Sequence, residues 1–124
     1  MRQNGFTLIE VLVTAAVVTS GLVAVASMFS FAVRANIADR QMAVATALVY
    51  DKMEEFRSTA FDQPLWKNGD GFDYVVKEVT YMRVWQVSPA APRNVTVIVY
   101  VESGALTRRP TELVRATTIV SDTF

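Results

Sequence analysis

The 124-residue sequence contains no cysteine and no histidine. These absences exclude disulfides, thiolate nucleophiles, most zinc sites and the usual general base near neutral pH. Twelve basic residues balance twelve acidic ones, so no dominant surface for nucleic acid or another polyanion is expected. The sequence also has no Gly-rich phosphate loop and no convincing serine or carboxylate pair. We therefore expect one small domain that is not an enzyme and that carries no cofactor.

Proline and charge are both missing from the N-terminal part of the chain. No proline occurs before Pro64, and no charged residue occurs from Val11 to Val33. As a helix this apolar run would extend roughly 34 Å, enough to cross a hydrocarbon core of ~30 Å. It is also longer than the core of an ordinary secretory signal. The sequence therefore predicts a membrane-spanning helix.

One acid, Glu10, precedes this apolar run. A carboxylate at the centre of a bilayer costs ~2.5 to 3.5 kcal/mol, and less near the interface, so one interpretation is an interfacial acid that extends toward the headgroups. The second interpretation supposes cleavage after the small residue Gly5, which would create an α-amine on Phe6. Opposite charges ~4 Å apart attract by about 4 kcal/mol at an effective dielectric of 20, before desolvation. Glu10 would then set the register between neighbouring helices.

The run GFTLIEVLV, from Gly5 to Val13, resembles the prepilin processing site of type IV pilins and type II secretion pseudopilins. The resemblance implies that prepilin peptidase cleaves between Gly5 and Phe6, that Phe6 is N-methylated and that Glu10 acts in assembly. The absence of proline near Ser27, together with IEVLVT, is similar to PilV-like minor pilins and I-type pseudopilins. The resemblance further implies a subunit of the inner membrane that packs through its N-terminal helix with other minor and major pilins.

After Arg34 the pattern becomes amphipathic, with apolar residues three or four positions apart on one face. These residues are Ala38, Met42, Ala45, Val49, Met53, Phe56 and Ala60. Charged residues beside and opposite this face are interpreted as solvated, with Glu54 and Arg57 paired. They are Asp39, Arg40, Asp51, Lys52, Glu54, Glu55 and Arg57. The lack of proline predicts one continuous helix that ends at residues 61–64, and its segment 47–57 also resembles the helix that precedes the head in PilV-like and I-type subunits.

The C-terminal part predicts a small antiparallel sheet. The segment 67–73 has the composition of a surface loop, and its two aspartates, Asp70 and Asp73, do not have the spacing of a calcium loop. Three β segments are predicted, at 75–87, 94–102 and 113–120. Trp66, Tyr81 and Trp85 are predicted to be core or half-buried residues. Arg108 and Arg109 form too small a basic patch for clear nucleic-acid binding.

The sequence thus predicts an α+β, pilin-like chain of four segments. They are a prepilin leader at 1–5, a transmembrane and filament-core helix at 6–33, an amphipathic helix at 34–60 and a periplasmic β-sheet head at 61–124. The expected function is that of a minor pilin in the assembly or priming of a type IV pilus. An I-type pseudopilin of a type II secretion system is the alternative within the family. A single-pass anchor for a binding domain, in which Glu10 has no special role, is the alternative from another class.

Overall fold

The computed structural model describes residues 7–67, 69–89, 92–102 and 109–120. Helix α1 spans Leu8–Ser58, and a short helix α2 spans Pro64–Lys67. Four strands follow: β1 is Gly71–Val76, β2 is Thr80–Val87, β3 is Arg93–Val101 and β4 is Thr111–Val120. They form one antiparallel sheet in the order β1-β2-β3-β4. The predicted α+β class and the predicted antiparallel meander are both confirmed.

The chain divides into two compact units between Asp39 and Arg40. In the first unit, which is the N-terminal part of α1, every described residue is exposed. The second unit, called the head below, contains the C-terminal part of α1, α2 and the sheet.

The core of the head lies between α1 and one face of the sheet. The buried residues are Ala45, Val49, Met53, Phe56, Trp66, Tyr81, Val95, Val97 and Val99. Burial of a large apolar side chain contributes about 1.5 to 3 kcal/mol, so this contact stabilises helix and sheet together. The predicted helix stripe is confirmed in its middle only, because Ala38, Met42 and Ala60 are exposed. The sheet covers about three turns of the helix, and Ala60 lies beyond the helix end at Ser58.

The predicted strands need two corrections. The segment predicted as one strand at 75–87 is two strands, separated at Lys77–Val79, where the Lys77 N–H donates to the Val79 carbonyl at 3.1 Å. This turn contains neither glycine nor proline, so the usual signal was missing. In addition, β1 begins at Gly71, inside the segment predicted as a loop. Pairing of Gly71 with Trp85 and of Asp73 with Arg83, both on β2, accounts for this.

One charge that the sequence assigns to solvent is buried. Lys52 is only 4% exposed, and its ammonium lies 2.9 Å from Glu55 and 4.0 Å from the centroid of the Trp85 ring. The aliphatic stem and the π face together make burial of a lysine tolerable. The predicted Glu54–Arg57 pair is not formed. Arg57 instead donates to Thr118 on β4 at 3.3 Å.

Candidate membrane and assembly helix

The three residues to which the sequence assigns processing and assembly roles are at the start of the chain. Gly5 and Phe6 lie outside the described residues, and Glu10 is in the first turn of α1. The Glu10 N–H donates to the Thr7 carbonyl at 3.0 Å and to the Thr7 hydroxyl at 3.4 Å. Thr7 therefore caps the helix.

The sequence from Thr7 to Glu10 has the pattern of a capping box, in which a glutamate or glutamine follows the cap residue by three positions. This local signal was present in the sequence but did not enter the prediction. An acid in the first turn also interacts favourably with the helix dipole. Glu10 thus has a local reason to stand at a helix start, separate from any role in assembly. Its side chain is exposed and forms no salt bridge with another described residue.

The surface after Glu10 is apolar on all sides. An 18-residue stretch of α1 is strongly apolar and none of it is buried within the chain, so by length and composition the helix is able to cross a membrane. Among the side chains that remain exposed, Leu22 is 66% and Phe31 is 75% accessible. Apolar surface of this extent is rare on a soluble monomer and marks contact with lipid or protein. The finding agrees with membrane anchoring through the N-terminal helix.

Hydroxyl groups in this segment are satisfied by the helix itself. Each donates to a backbone carbonyl three or four residues earlier, at 2.7 to 3.0 Å. The donors are Thr14, Thr19, Ser20, Ser27 and Ser30. A hydroxyl without a partner is costly in an apolar medium, so these bonds lower the cost of transferring the segment from water. The helix can therefore be lipid-facing or packed against other helices without polar partners from outside.

A buried polar cluster in the head is centred on Arg83. This side chain is 7% exposed, donates two hydrogen bonds to Asp73 at 2.9 and 2.6 Å, and reaches the Leu48 carbonyl at 3.2 Å and Asp51 at 3.3 Å. Its hydrogen bond with Asp73 raises the pKa of Arg83 above the ordinary value, although burial acts in the opposite direction. The cluster joins β1 and β2 to α1.

The two aspartates of the predicted loop both have structural partners. Asp73 holds Arg83, and Asp70 accepts a hydrogen bond from the Val87 N–H at 2.8 Å. Within the described residues, no group of three or more acidic, cysteine or histidine side chains is arranged to hold a metal ion.

The three aromatic residues singled out by the sequence are not a free binding surface. Trp66 and Tyr81 are 3% and 2% exposed, and Trp85 is half-buried, which confirms the prediction. The Trp66 indole donates to the Thr59 carbonyl at 2.9 Å and fixes α2 beneath the end of α1. Of the two arginines in the predicted basic patch, Arg109 is exposed and Arg108 lies outside the described residues.

Comparison with known proteins bears on the N-terminal segment. Neither the curated proteins nor the solved structures give a match to the chain. Residues 1–26 match the family model of the prokaryotic N-terminal methylation motif. The matched region includes Gly5, Phe6 and Glu10 and continues into the exposed apolar part of α1. The chain therefore carries a prokaryotic N-terminal methylation motif with a type IV pilin-like leader.

Proposed function

We propose that this chain is a minor pilin. Prepilin peptidase processes it between Gly5 and Phe6, Phe6 is methylated, and the mature subunit takes part in assembling or priming a type IV pilus. The observation that carries the proposal is the methylation motif at residues 1–26, which extends into an exposed apolar helix. The proposal assigns the chain a structural role in a filament and no catalytic activity.

The N-terminal part of α1 suits a subunit that moves between two apolar surroundings. In the inner membrane its side chains contact lipid, and in a filament they contact the helices of other minor and major pilins. Lipid tails and aliphatic side chains are similarly apolar, so the exchange changes the hydrophobic free energy little. The polar group Glu10 therefore gives assembly its direction. In lipid its carboxylate lacks a partner, whereas in a filament it meets the new amine of Phe6.

The head is built so that this exchange leaves it intact. Every described residue of its hydrophobic core lies at or after Ala45, within the second unit. A subunit with this division can change the neighbours of its N-terminal helix while the head stays folded. We place the head in the periplasm before assembly.

The test is the intact mass of the chain isolated from membranes of cells with and without prepilin peptidase. We expect the mature form to lack residues 1–5 and to carry one added methyl group, and we expect the precursor alone when the peptidase is absent. A full-length chain in both strains, or one that lacks only Met1, contradicts the proposal and favours a plain membrane anchor.

A second measurement separates the pilus from the secretion system. Deletion of the chain is expected to lower the number of surface pili while secretion of exported proteins continues. The opposite result would assign the processed chain to a secretion pseudopilus.

A further inference from the structure

The two edges of the sheet are protected very differently. The β4 edge has a bulge opposite Val99 and Tyr100, and it carries Glu112 and Arg115, which pair through two contacts of 3.0 Å. Bulges and charges of this kind prevent an edge from adding another strand. The β1 edge has no bulge and no proline, and its one charged residue, Asp73, is held by Arg83.

Hydrogen bonds at the ends of β2 show which way the β1 backbone points. Ser88 donates to the Asn94 carbonyl and Glu102 donates to the Thr80 carbonyl, both at 2.9 Å. Even-numbered residues of β2 therefore bond to β3, and odd-numbered ones bond to β1.

The register between β1 and β2 then fixes the free groups of β1. Odd residues of β1 pair with odd residues of β2, for example Asp73 with Arg83. Phe72, Tyr74 and Val76 consequently direct their N–H and C=O groups to the open edge. Beyond β1 the described residues supply no strand to accept them.

The same three residues have exposed side chains. Phe72, Tyr74 and Val76 are 63%, 55% and 73% accessible on the sheet face opposite α1. Two of them begin cross-strand rows that continue over β2 and β3. The rows are Phe72, Val84, Ile98 and Tyr74, Met82, Tyr100. An apolar face thus runs without interruption to an open edge.

We propose that β1 pairs antiparallel with β1 of a second copy of this chain, which joins two sheets into one. In two registers, Tyr74 and Val76 both form hydrogen-bonded pairs with β1 residues of the other copy whose backbone groups are also free. The register centred on Tyr74 places Asp70 opposite Glu78 of the other copy, which is a repulsive pair. The register centred on Val75 avoids this.

The register centred on Val75 places Asp73 opposite Lys77 of the other copy, once on each side of the two-fold axis. The Lys77 side chain is exposed and forms no salt bridge among the described residues, and the Asp73 side chain keeps 36% exposure beside Arg83. The same register sets Tyr74 against Val76, an aromatic and β-branched pair that stabilises sheets. Charge and side-chain type therefore both favour a second copy in this register.

The size of the contact determines where it forms. The exposed parts of the three side chains amount to roughly 350 Å² per copy, against about 800 Å² per partner in a stable interface. Dilute chains should therefore be mostly monomeric. Copies held in one membrane have a higher effective concentration, and under that condition the β1 edges of two copies pair. This pairing does not depend on the proposed pilin function.

Disulfide formation tests the pairing, because the chain has no cysteine of its own. In the proposed register the two Val75 residues form a non-hydrogen-bonded pair with Cα atoms ~4.5 Å apart, within disulfide reach. The full chain with Val75→Cys, oxidised mildly in membrane vesicles, is expected to give a dimer of twice the chain mass. Ile119→Cys, on the β4 edge and 67% exposed, is the matched control and should stay monomeric.

A second test changes the charge pair between Asp73 of one copy and Lys77 of the other. Added to Val75→Cys, the substitution Lys77→Glu is expected to lower the dimer fraction about fivefold, whereas Lys77→Arg leaves it unchanged. If Val75→Cys alters the tryptophan fluorescence of the head, a mixture of Tyr74→Cys and Val76→Cys chains replaces it, since both sites are exposed and lie opposite each other in the dimer. Three results would each overturn the proposal: no dimer from folded chains, equal dimer from Ile119→Cys, or a crosslinked product that contains a different protein.

Discussion

Arg83 connects three elements of the head through one side chain. Arg83 lies on β2. Its guanidinium donates hydrogen bonds to Asp73 on β1 and to the Leu48 carbonyl and Asp51 on α1. No buried side-chain nitrogen or oxygen among the described residues lacks a hydrogen-bond partner, so the cluster is fully satisfied. A satisfied buried cluster of this kind fixes the angle at which a helix meets a sheet.

Replacing Arg83 with methionine keeps much of the length and removes the charge. We expect Arg83→Met to lower the free energy of unfolding by about 2 kcal/mol, because Asp73 loses its donor in a half-buried position. Denaturant unfolding of the full chain in detergent micelles, followed by tryptophan fluorescence, measures the change, since both tryptophans lie in the head. Arg115→Met is the matched control. It breaks an exposed arginine–carboxylate pair and should have little effect. Equal losses in both variants would contradict a special role for Arg83.

Ionisation of Tyr81 is expected to change the stability of the head at alkaline pH. Burial, and next the nearby Glu78, raise the pKa of Tyr81 above its ordinary value of 10.0. The unfolded chain therefore loses this proton first as pH rises. The contribution of Tyr81 to the free energy of unfolding is complete below its pKa in the unfolded chain. This contribution falls as pH rises from about 10 toward the pKa of Tyr81 in the folded head. Tyr81→Phe should reduce the loss of unfolding free energy between about pH 8 and pH 10.5, measured by the same unfolding assay. Tyr50→Phe, at a site that is 69% exposed, should not reduce it.

At the level of helices and strands, periodicity in the sequence predicts which residues of an element share one face. In β3 the alternation puts Val95, Val97 and Val99 on one face, and all three are fully buried in the core. The same alternation placed Ile98 on the other face, where it is nevertheless 4% exposed. Its neighbours across the sheet, Val84 and Arg115, are aligned by strand register, which a single strand pattern does not contain.

Contacts between elements explain two other misses. The beginning of β1 and the burial of Lys52 both depend on Trp85, which lies on a different strand. Glycine and aspartate are poor strand formers, so Gly71 and Asp73 favoured a loop in the sequence. Long-range packing overrides local preference at these positions.

Gly71 is the residue through which this packing can be tested. A Cβ atom at position 71 would lie 2.5 and 2.7 Å from ring atoms of Trp85, its cross-strand neighbour. We expect Gly71→Ala to cost about 1 to 3 kcal/mol and to shift the Trp85 ring relative to Lys52. Unfolding and the tryptophan emission maximum report the two effects. Gly21→Ala meets nothing within 4 Å and serves as the control. Unchanged emission and stability in Gly71→Ala would mean that the strand adapts without strain.

At the level of the whole molecule, the two units follow from two kinds of sequence pattern. A continuous apolar run without charge produces the exposed first unit, and a periodic stripe with alternating strands produces the head. The α+β fold class followed from these patterns, and the leader motif at residues 1–26 could be recognised because it is local in sequence. The action proposed for Glu10 in a filament would depend on neighbouring subunits, so the chain alone specifies only the position of Glu10 in the first turn of α1.

Substitution of Glu10 separates the two roles proposed for it, that of a charge in assembly and that of a capping-box residue. Glu10→Gln keeps the hydrogen-bonding capacity suited to a capping box but removes the charge, whereas Glu10→Ala removes both. Under the proposed function both variants should insert into the membrane at least as well as the native chain, because a desolvated carboxylate is lost. Both should enter filaments poorly, because the Phe6 amine has no carboxylate to meet.

Quantitative immunoblots of sheared filaments and of membranes measure the two pools of subunit. Thr14→Val is the matched control, since it removes a polar group one turn further along the same helix and leaves the charge in place. Normal incorporation of Glu10→Gln alongside failure of Glu10→Ala would assign Glu10 to the helix cap. Normal incorporation of both variants would remove Glu10 from assembly altogether.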